Sequence, residues 1–489
     1  MPEPIDWLPD GAPFSPRFGD RYHSSANHGV DQARDAFLGG CGLPAAWAGQ
    51  AQWRILETGF GLGLNFLVTW AAWRADPARP RVLHFVSCEA WPVAAADLLR
   101  AAPQAPELLP LAQQLAAQFW GLLPGVHRLA FEGGQVLLTL YIGDAQTMLR
   151  QQQPVADTVY LDGFSPQCNP DMWSEGLLKA VARCCRRGTR LATWSVASAV
   201  RAGLAQCGFD VRKVPGVPPK RDNLQATFDP PWQPRGAADA PTPLFSAPSR
   251  CVVIGAGLAG AGAAASLARR GWQVQVLDQG AVPAAGASGL PAGVFGLHVS
   301  PDDAPQSRLS RAGLRLTRQT AQDLLTEGVD WAPTGVLEHC VDGKRGLPAA
   351  WSEEATHPGS EWSRYADAAQ LAAAGLPADA VGHWHTRGGW IRPARLIAAL
   401  LAQPGITWHG GAAVARITRA HDGAWQLFNP QGTLLAEAPL VVIATGAGSI
   451  SLCADYWPAA SLRPLRGQVS WGRCSDAPAL PPFPVNGHG

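Results

Sequence analysis

The chain has 489 residues, 47% of them apolar, and carries a formal net charge of +1. That length accommodates two or three domains, and that apolar content sustains sizeable cores, which excludes general disorder. The near-neutral balance excludes a strongly basic surface as an argument for nucleic-acid binding. Two local basic clusters remain, Arg183, Arg186, Arg187 and Arg190, and Arg212, Lys213, Lys220 and Arg221, and both read as solvated faces. The 10 cysteines show no CxxC pair and no Cys/His ligand spacing, so no metal site is expected and a reduced, cytoplasmic protein fits best. The opening Met1-Pro-Glu-Pro-Ile-Asp-Trp7 has neither the basic nor the apolar region of a signal peptide, and no run of about 18 apolar residues predicts a membrane span.

Strand-like and helical patterns then alternate. Strands are expected at Arg54–Glu57, Val82–Cys88, Val136–Ile142, Thr158–Leu161 and Thr189–Trp194. Helices are expected at Leu64–Arg74, Ala94–Ala101, Pro110–Phe119 and Ser174–Cys185. Such alternation predicts a parallel sheet covered on both faces. Between the first strand and helix lies Glu57-Thr-Gly59-Phe-Gly61-Leu-Gly63-Leu-Asn65, a loop of small residues whose backbone can approach a ligand closely. It resembles the loop that passes under the methionine part of S-adenosylmethionine in methyltransferases of this sheet type. Glu89 ends the second strand, where a carboxylate can accept both ribose hydroxyls. Asp144 follows the third, where such enzymes meet the adenine amino group. The fourth strand runs into Asp162-Gly-Phe164-Ser-Pro166, similar to the Asp/Asn-Pro-Pro-Tyr loop of amine methyltransferases. Ligands sit beyond the carboxyl ends of strands in open α/β sheets, so Asp162, Phe164 and Pro166 are the catalytic candidates. The carboxylate would orient an amine N–H or take its proton, and the ring would stack on a planar base.

Residues 230–249 hold six prolines and read as an interdomain linker, dividing residues 1–229 from 250–489. After it come a strand at Cys251–Ile254, a helix at Ala259–Arg270 and a strand at Gln273–Leu277. The turn between the first two carries Gly255, Gly257 and Gly260 in G-x-G-x-x-G spacing, and Asp278 ends the second strand, where it can bind an adenosine ribose. This is a dinucleotide-binding Rossmann unit. FAD is favoured over NAD by the small-residue loop Gly286-Ala-Ser288-Gly289, by Thr445-Gly446 after the strand-like Leu440–Ala444, and by Arg463–Val469, which resembles a strand re-entering the substrate domain of flavin amine oxidases.

Taken together, Tyr22–Asn27, Ala36–Gly40, Glu57–Phe66, Leu83–Glu89, Asp162–Trp173, Lys220-Arg221, Gly255–Gly260 and Gly286–Gly289 make the chain resemble the family of bifunctional enzymes that make 5-methylaminomethyl-2-thiouridine in tRNA. The resemblance implies an N-terminal Rossmann-like methyltransferase sheet and a glycine-oxidase-like FAD domain with an inserted α+β substrate domain. It implies S-adenosylmethionine and FAD as cofactors and the wobble uridine of tRNA as substrate. The flavin half would remove a carboxymethyl group from the modified base and the other half would methylate the freed amine. A monomer is expected. The family continues past the position of His488, so the resemblance also implies an FAD domain incomplete at its end, with weak flavin retention. Two competing readings are a glycine-oxidase-like small-amine oxidase fused to an unrelated methyltransferase, and a non-catalytic tRNA-binding module, which would take up neither cofactor.

Overall fold

The protein is described from a computed structural model, which covers residues 2–23, 29–103, 105–216, 220–232, 247–341, 346–353, 357–457, 462–472 and 480–488. Most of the expected linker, residues 233–246, and residues 24–27 of the stretch Tyr22–Asn27 lie outside the described residues. The chain divides into two compact units, Met1–Thr242 with Glu354–Glu361 and Pro243–Glu353 with Trp362–Gly489. Among the described residues no helix is long and apolar enough to cross a membrane.

The first unit opens with a small antiparallel sheet of β1 (Asp6–Trp7), β2 (Pro13–Ser15) and β3 (Asp20–Arg21). The main sheet follows: β4 (Gln52–Glu57), β5 (Val82–Glu89), β6 (Gly125–Phe131), β7 (Val136–Ile142), β8 (Ala156–Tyr160), β9 (Cys185–Thr193), β10 (Phe209–Pro215) and β11 (Asp222–Phe228). Its order is β10-β11-β9-β8-β4-β5-β7-β6. The five strands β9, β8, β4, β5 and β7 are parallel, as expected. The sheet is nevertheless mixed, because β6 runs antiparallel to β7 at one edge and the hairpin β10–β11 runs antiparallel to β9 at the other. Helices α1 (Leu64–Ala75), α2 (Ala95–Ala101), α3 (Leu109–Gln118), α4 (Ala145–Gln152), α5 (Glu175–Cys184) and α6 (Ser198–Gln206) connect the strands.

Alternation along the strands divides the core between the two faces. Ile55, Leu83 and Phe85 pack with Phe66 and Trp70 of α1, whereas Leu56, Val159 and Leu161 pack with Leu177 and Val181 of α5. The chain leaves β4 toward β5 and β7, then returns to β8 on the other side. The point where the order reverses, between the carboxyl ends of β4 and β8, is where such sheets bind ligands.

The second unit carries a parallel sheet of β12 (Arg250–Ile254), β13 (Gln273–Leu277) and two later strands, in the order β20-β13-β12-β24. Helix α7 (Leu258–Arg269) joins β12 to β13 and packs Ala264 and Ala268 on Val253 and Val276. The chain then leaves the Rossmann sheet through β14 (Gly293–Phe295), β15 (Trp331–Ala332), β16 (Val336–Cys340), β17 (Ser363–Tyr365), β18 (Gly382–His385) and β19 (Gly389–Ile391), which form two smaller sheets. It returns at β20 (Ile406–His409), makes an antiparallel meander of β21 (Arg416–Arg419), β22 (Trp425–Phe428) and β23 (Leu434–Ala438), and re-enters the parallel sheet as β24 (Leu440–Ile443). The last strand, β25 (Val485–His488), adds in parallel to β16. Residues 463–469, expected to be a strand, are neither strand nor helix.

Candidate functional site

A cavity of about 750 Å³ opens at the β4–β8 switch point of the first unit. Its floor is the expected glycine loop. The turn after β4 is tied to β8 through Thr58, whose hydroxyl donates to the Asp162 carbonyl at 2.6 Å and accepts the Asp162 N–H at 3.0 Å. Gly59 lies so close that an added Cβ would stand 3.1 Å from the Asp162 carbonyl oxygen. Gly61 has φ +51°, and a Cβ there would meet the Tyr22 ring at 3.3 Å. Gly63, with φ +73°, starts α1, and its missing Cβ makes room for Phe60 and Leu115.

Glu89 closes the next strand. Its carboxylate accepts the Gly61 N–H at 2.8 Å and the Trp91 N–H at 2.8 Å, so it fixes the glycine loop from the side. Burial raises its pKa, and these backbone donors oppose the shift. Asp144 is the N-cap of α4, where one oxygen takes both the backbone N–H and the hydroxyl of Thr147, at 2.8 and 2.6 Å. Both acids line the cavity.

Asp162 stands opposite them. Its Oδ1 accepts the Gly163 N–H at 2.8 Å and the Trp194 indole N–H at 3.0 Å, while Oδ2 accepts from the Asn65 amide at 2.8 Å. The same amide nitrogen donates to Glu57 at 2.9 Å, and Ser87 donates to the other Glu57 oxygen at 2.6 Å. Glu57 is 1% exposed, and burial drives its pKa well above the carboxylate range. Asp162 is also raised, chiefly by burial, against the pull of its three donors.

The acceptor side is aromatic. Phe164 stacks on Phe18 at 4.8 Å and 28°, and Tyr22 meets it edge-on at 5.0 Å. Asp20 at the start of β3 accepts the Ser165 N–H at 2.8 Å, which ties the small N-terminal sheet to this loop. Lys220, exposed as its basic cluster was expected to be, also lines the cavity with its ammonium over the Trp194 ring at 4.5 Å.

Of the residues expected at this site, Gly59, Gly61, Asn65, Glu89, Asp144, Asp162 and Phe164 line the cavity together. Glu57, Gly63 and Pro166 do not line it: Glu57 lies behind Asn65, and Gly63 serves the packing of α1. Phe18, Trp194 and Lys220 were not singled out as site residues in the sequence. They come from an N-terminal loop, a strand end and a hairpin approach, and no local motif joins them.

In the second unit the Gly255–Gly260 turn is formed as expected. Gly255 has φ +107°, and a Cβ there would collide with the Ala444 carbonyl; a Cβ on Gly260 would collide with the Gly255 carbonyl. A Cβ on Gly257 would approach the Ser288 hydroxyl at 3.2 Å, and that hydroxyl accepts the Leu258 N–H at the start of α7. Asp278 uses its two oxygens to hold the Ala256 N–H at 2.6 Å and the Gly280 N–H at 2.7 Å. Gly289 closes a turn on Gly286, and Gly446, with φ +56°, is exposed after β24. The tight turn, the open start of α7 and the strand-end acid suit the adenosine diphosphate half of a dinucleotide.

Comparison with known proteins matches each half of the chain to a family. Residues 106–229 match the family described as S-adenosyl-L-methionine-dependent methyltransferase, and residues 250–487 match FAD dependent oxidoreductase. The tRNA 5-methylaminomethyl-2-thiouridine biosynthesis bifunctional protein of Paracidovorax citrulli is 68% identical over all of this chain and 78% of its own length. Its counterpart in Acidovorax sp. is 64% identical over all of this chain and 76% of its own, and that of Cupriavidus necator 42% over 97% and 72%. Among solved structures, MNMC2 from Aquifex aeolicus is similar over 47% of this chain and 72% of its own, with 22% identity and a TM-score of 0.38. The chain belongs to the family of tRNA 5-methylaminomethyl-2-thiouridine biosynthesis bifunctional proteins.

Proposed function

We propose that the two units perform consecutive steps on the wobble uridine of tRNA. The second unit removes the carboxymethyl group of a 5-carboxymethylaminomethyl side chain, and the first methylates the amine that is left. The pairing in this chain of a methyltransferase and an FAD dependent oxidoreductase, with relatives named for 5-methylaminomethyl-2-thiouridine, supports this order, since the amine that one reaction frees is the one the other methylates. Bound FAD supplies a two-electron acceptor. The carbon between nitrogen and carboxylate would be the one oxidised, and hydrolysis would then leave the aminomethyl base and glyoxylate. Gly255, Gly257, Gly260, Asp278, Ser288, Gly289 and Gly446 would hold the cofactor.

S-adenosylmethionine supplies an electrophilic methyl group, and Gly59, Gly61, Asn65, Glu89 and Asp144 would hold it. The carrying observation is Asp162, a cavity-facing carboxylate held by three donors beside the aromatic wall of Phe18, Tyr22 and Phe164. Phe164 offers the base one face, the other being covered by Phe18. Nitrogen bonds to the methyl carbon, the carbon–sulfur electron pair leaves with sulfur, and Asp162 takes the proton from the resulting ammonium. Lys220 at the cavity is placed for a neighbouring phosphate.

The test is methylation of tRNA carrying aminomethyl wobble uridine, with methyl-donor affinity measured alongside. Asp162→Ala is expected to abolish methylation while leaving affinity for S-adenosylmethionine within a few-fold. A variant that methylates at the normal rate would reduce Asp162 to a structural cap.

A further inference from the structure

The donors around Asp162 leave it unusually constrained. Both acceptor directions of Oδ1 are filled, one by the Gly163 N–H and one by the Trp194 indole. Asn65 fills one direction of Oδ2. The Asn65 amide nitrogen donates to a carboxyl oxygen of Asp162 and to one of Glu57, and turning the amide over would forfeit both bonds. Glu57 in turn is fixed by Ser87. Among the described residues, one acceptor direction of Asp162 remains, on Oδ2, and Asp162 lines the cavity.

We propose that Trp194 and Asn65 are positioning residues that lock the Asp162 carboxylate so that only Oδ2 can receive the substrate amine's proton. This rests on the reading of Asp162 as the base. When nitrogen forms its bond to the methyl carbon and the carbon–sulfur bond breaks toward sulfur, the amine becomes a protonated secondary amine. One N–H then passes to Oδ2, leaving a neutral methylamine and a protonated Asp162. A carboxylate free to rotate would offer either oxygen in several directions, and few of those would face an amine approaching a fixed methyl group. Trp194 also tunes the base, because an N–H bonded to the charged form favours that form. Glu57 approaches Asp162 across the Asn65 amide, Lys220 lies over the Trp194 ring, and the other titratable groups lining the cavity are Glu3, Asp20, Arg21, Tyr22, His23, Cys88, Glu89, Asp144 and Asp171.

Trp194→Phe in the full chain deletes the N–H and keeps an aromatic ring next to Trp173 and under Lys220. Its methylation kcat is expected to fall by about tenfold, the loss for one hydrogen bond to a charged group. KM for the aminomethyl tRNA and affinity for S-adenosylmethionine should hold. The acid limb of the kcat profile should move to higher pH, since the carboxylate loses a donor; a merely structural defect would leave that limb in place. In the Asp162→Asn background, Trp194→Phe should cost nothing further, because the residue it acts through is gone. Unchanged kcat and acid limb in Trp194→Phe, or losses that multiply in the double variant, would overturn the positioning role alone. Wild-type kcat in Asp162→Asn would overturn the base assignment and this inference with it.

Discussion

Glu57 shows how a buried acid serves a site it does not enter. Its carboxyl is sealed under Asn65 and Ser87, and burial raises its pKa far above the value in an unfolded chain. The folded state therefore binds a proton that the unfolded state releases, and stability falls as pH rises from the unfolded carboxyl pKa toward the folded one. Glu57→Gln keeps the shape and an acceptor for Asn65. Thermal unfolding should show the variant more stable than the wild type at pH 8, with the difference vanishing near pH 4. Glu89→Ala should act differently, removing the acceptor of the Gly61 and Trp91 N–H groups. Isothermal titration should find S-adenosylmethionine bound roughly ten- to a hundredfold more weakly, the range for a lost charge-assisted hydrogen bond. Residues within one motif, such as Gly59, Glu89 and Asp162, were legible because strand ends are marked by the apolar runs before them. Trp194 and Lys220 were not, because their roles depend on where β9 and the β10–β11 hairpin fall in the sheet, which no local pattern records.

At the level of elements, the parallel strands of the first unit are legible, most clearly β7, a continuous apolar run that is buried throughout. The edge strands escaped. β6 and β10 carry His127, Arg128, Asp210, Arg212 and Lys213 on half-solvated backbones, and their alternation is interrupted by charge. Helix α4 follows an acid whose two possible roles, ligand contact and N-cap, look alike in sequence; Asp144 caps it. In the second unit the glycine turn is legible because its spacing follows from sterics. Gly260→Ala would drive a Cβ into the Gly255 carbonyl and force α7 away from β12. Flavin content after purification, read from the absorbance of the full chain, should drop severely in that variant, while methylation of aminomethyl tRNA persists.

For the whole molecule, the division near Thr242 gives each activity its own core. A chain ending there is expected to fold and to methylate aminomethyl tRNA without flavin, yet to leave carboxymethylaminomethyl tRNA untouched; mass analysis of the wobble nucleoside reads both outcomes. The contact between Asp20 and Ser165 and the stacking of Phe18 on Phe164 carry a further consequence. The acceptor wall draws on the first two dozen residues, the cofactor loop on the next forty, and the indole and ammonium on residues 194 and 220. Such long-range closure makes completion of the site a late event in folding. On the ribosome, Phe18 and Asp20 must wait until Phe164 and Ser165 have been synthesised. Lys220, just before β11, is the last of the cavity residues to be made, by which time translation is nearing the flavin-binding half.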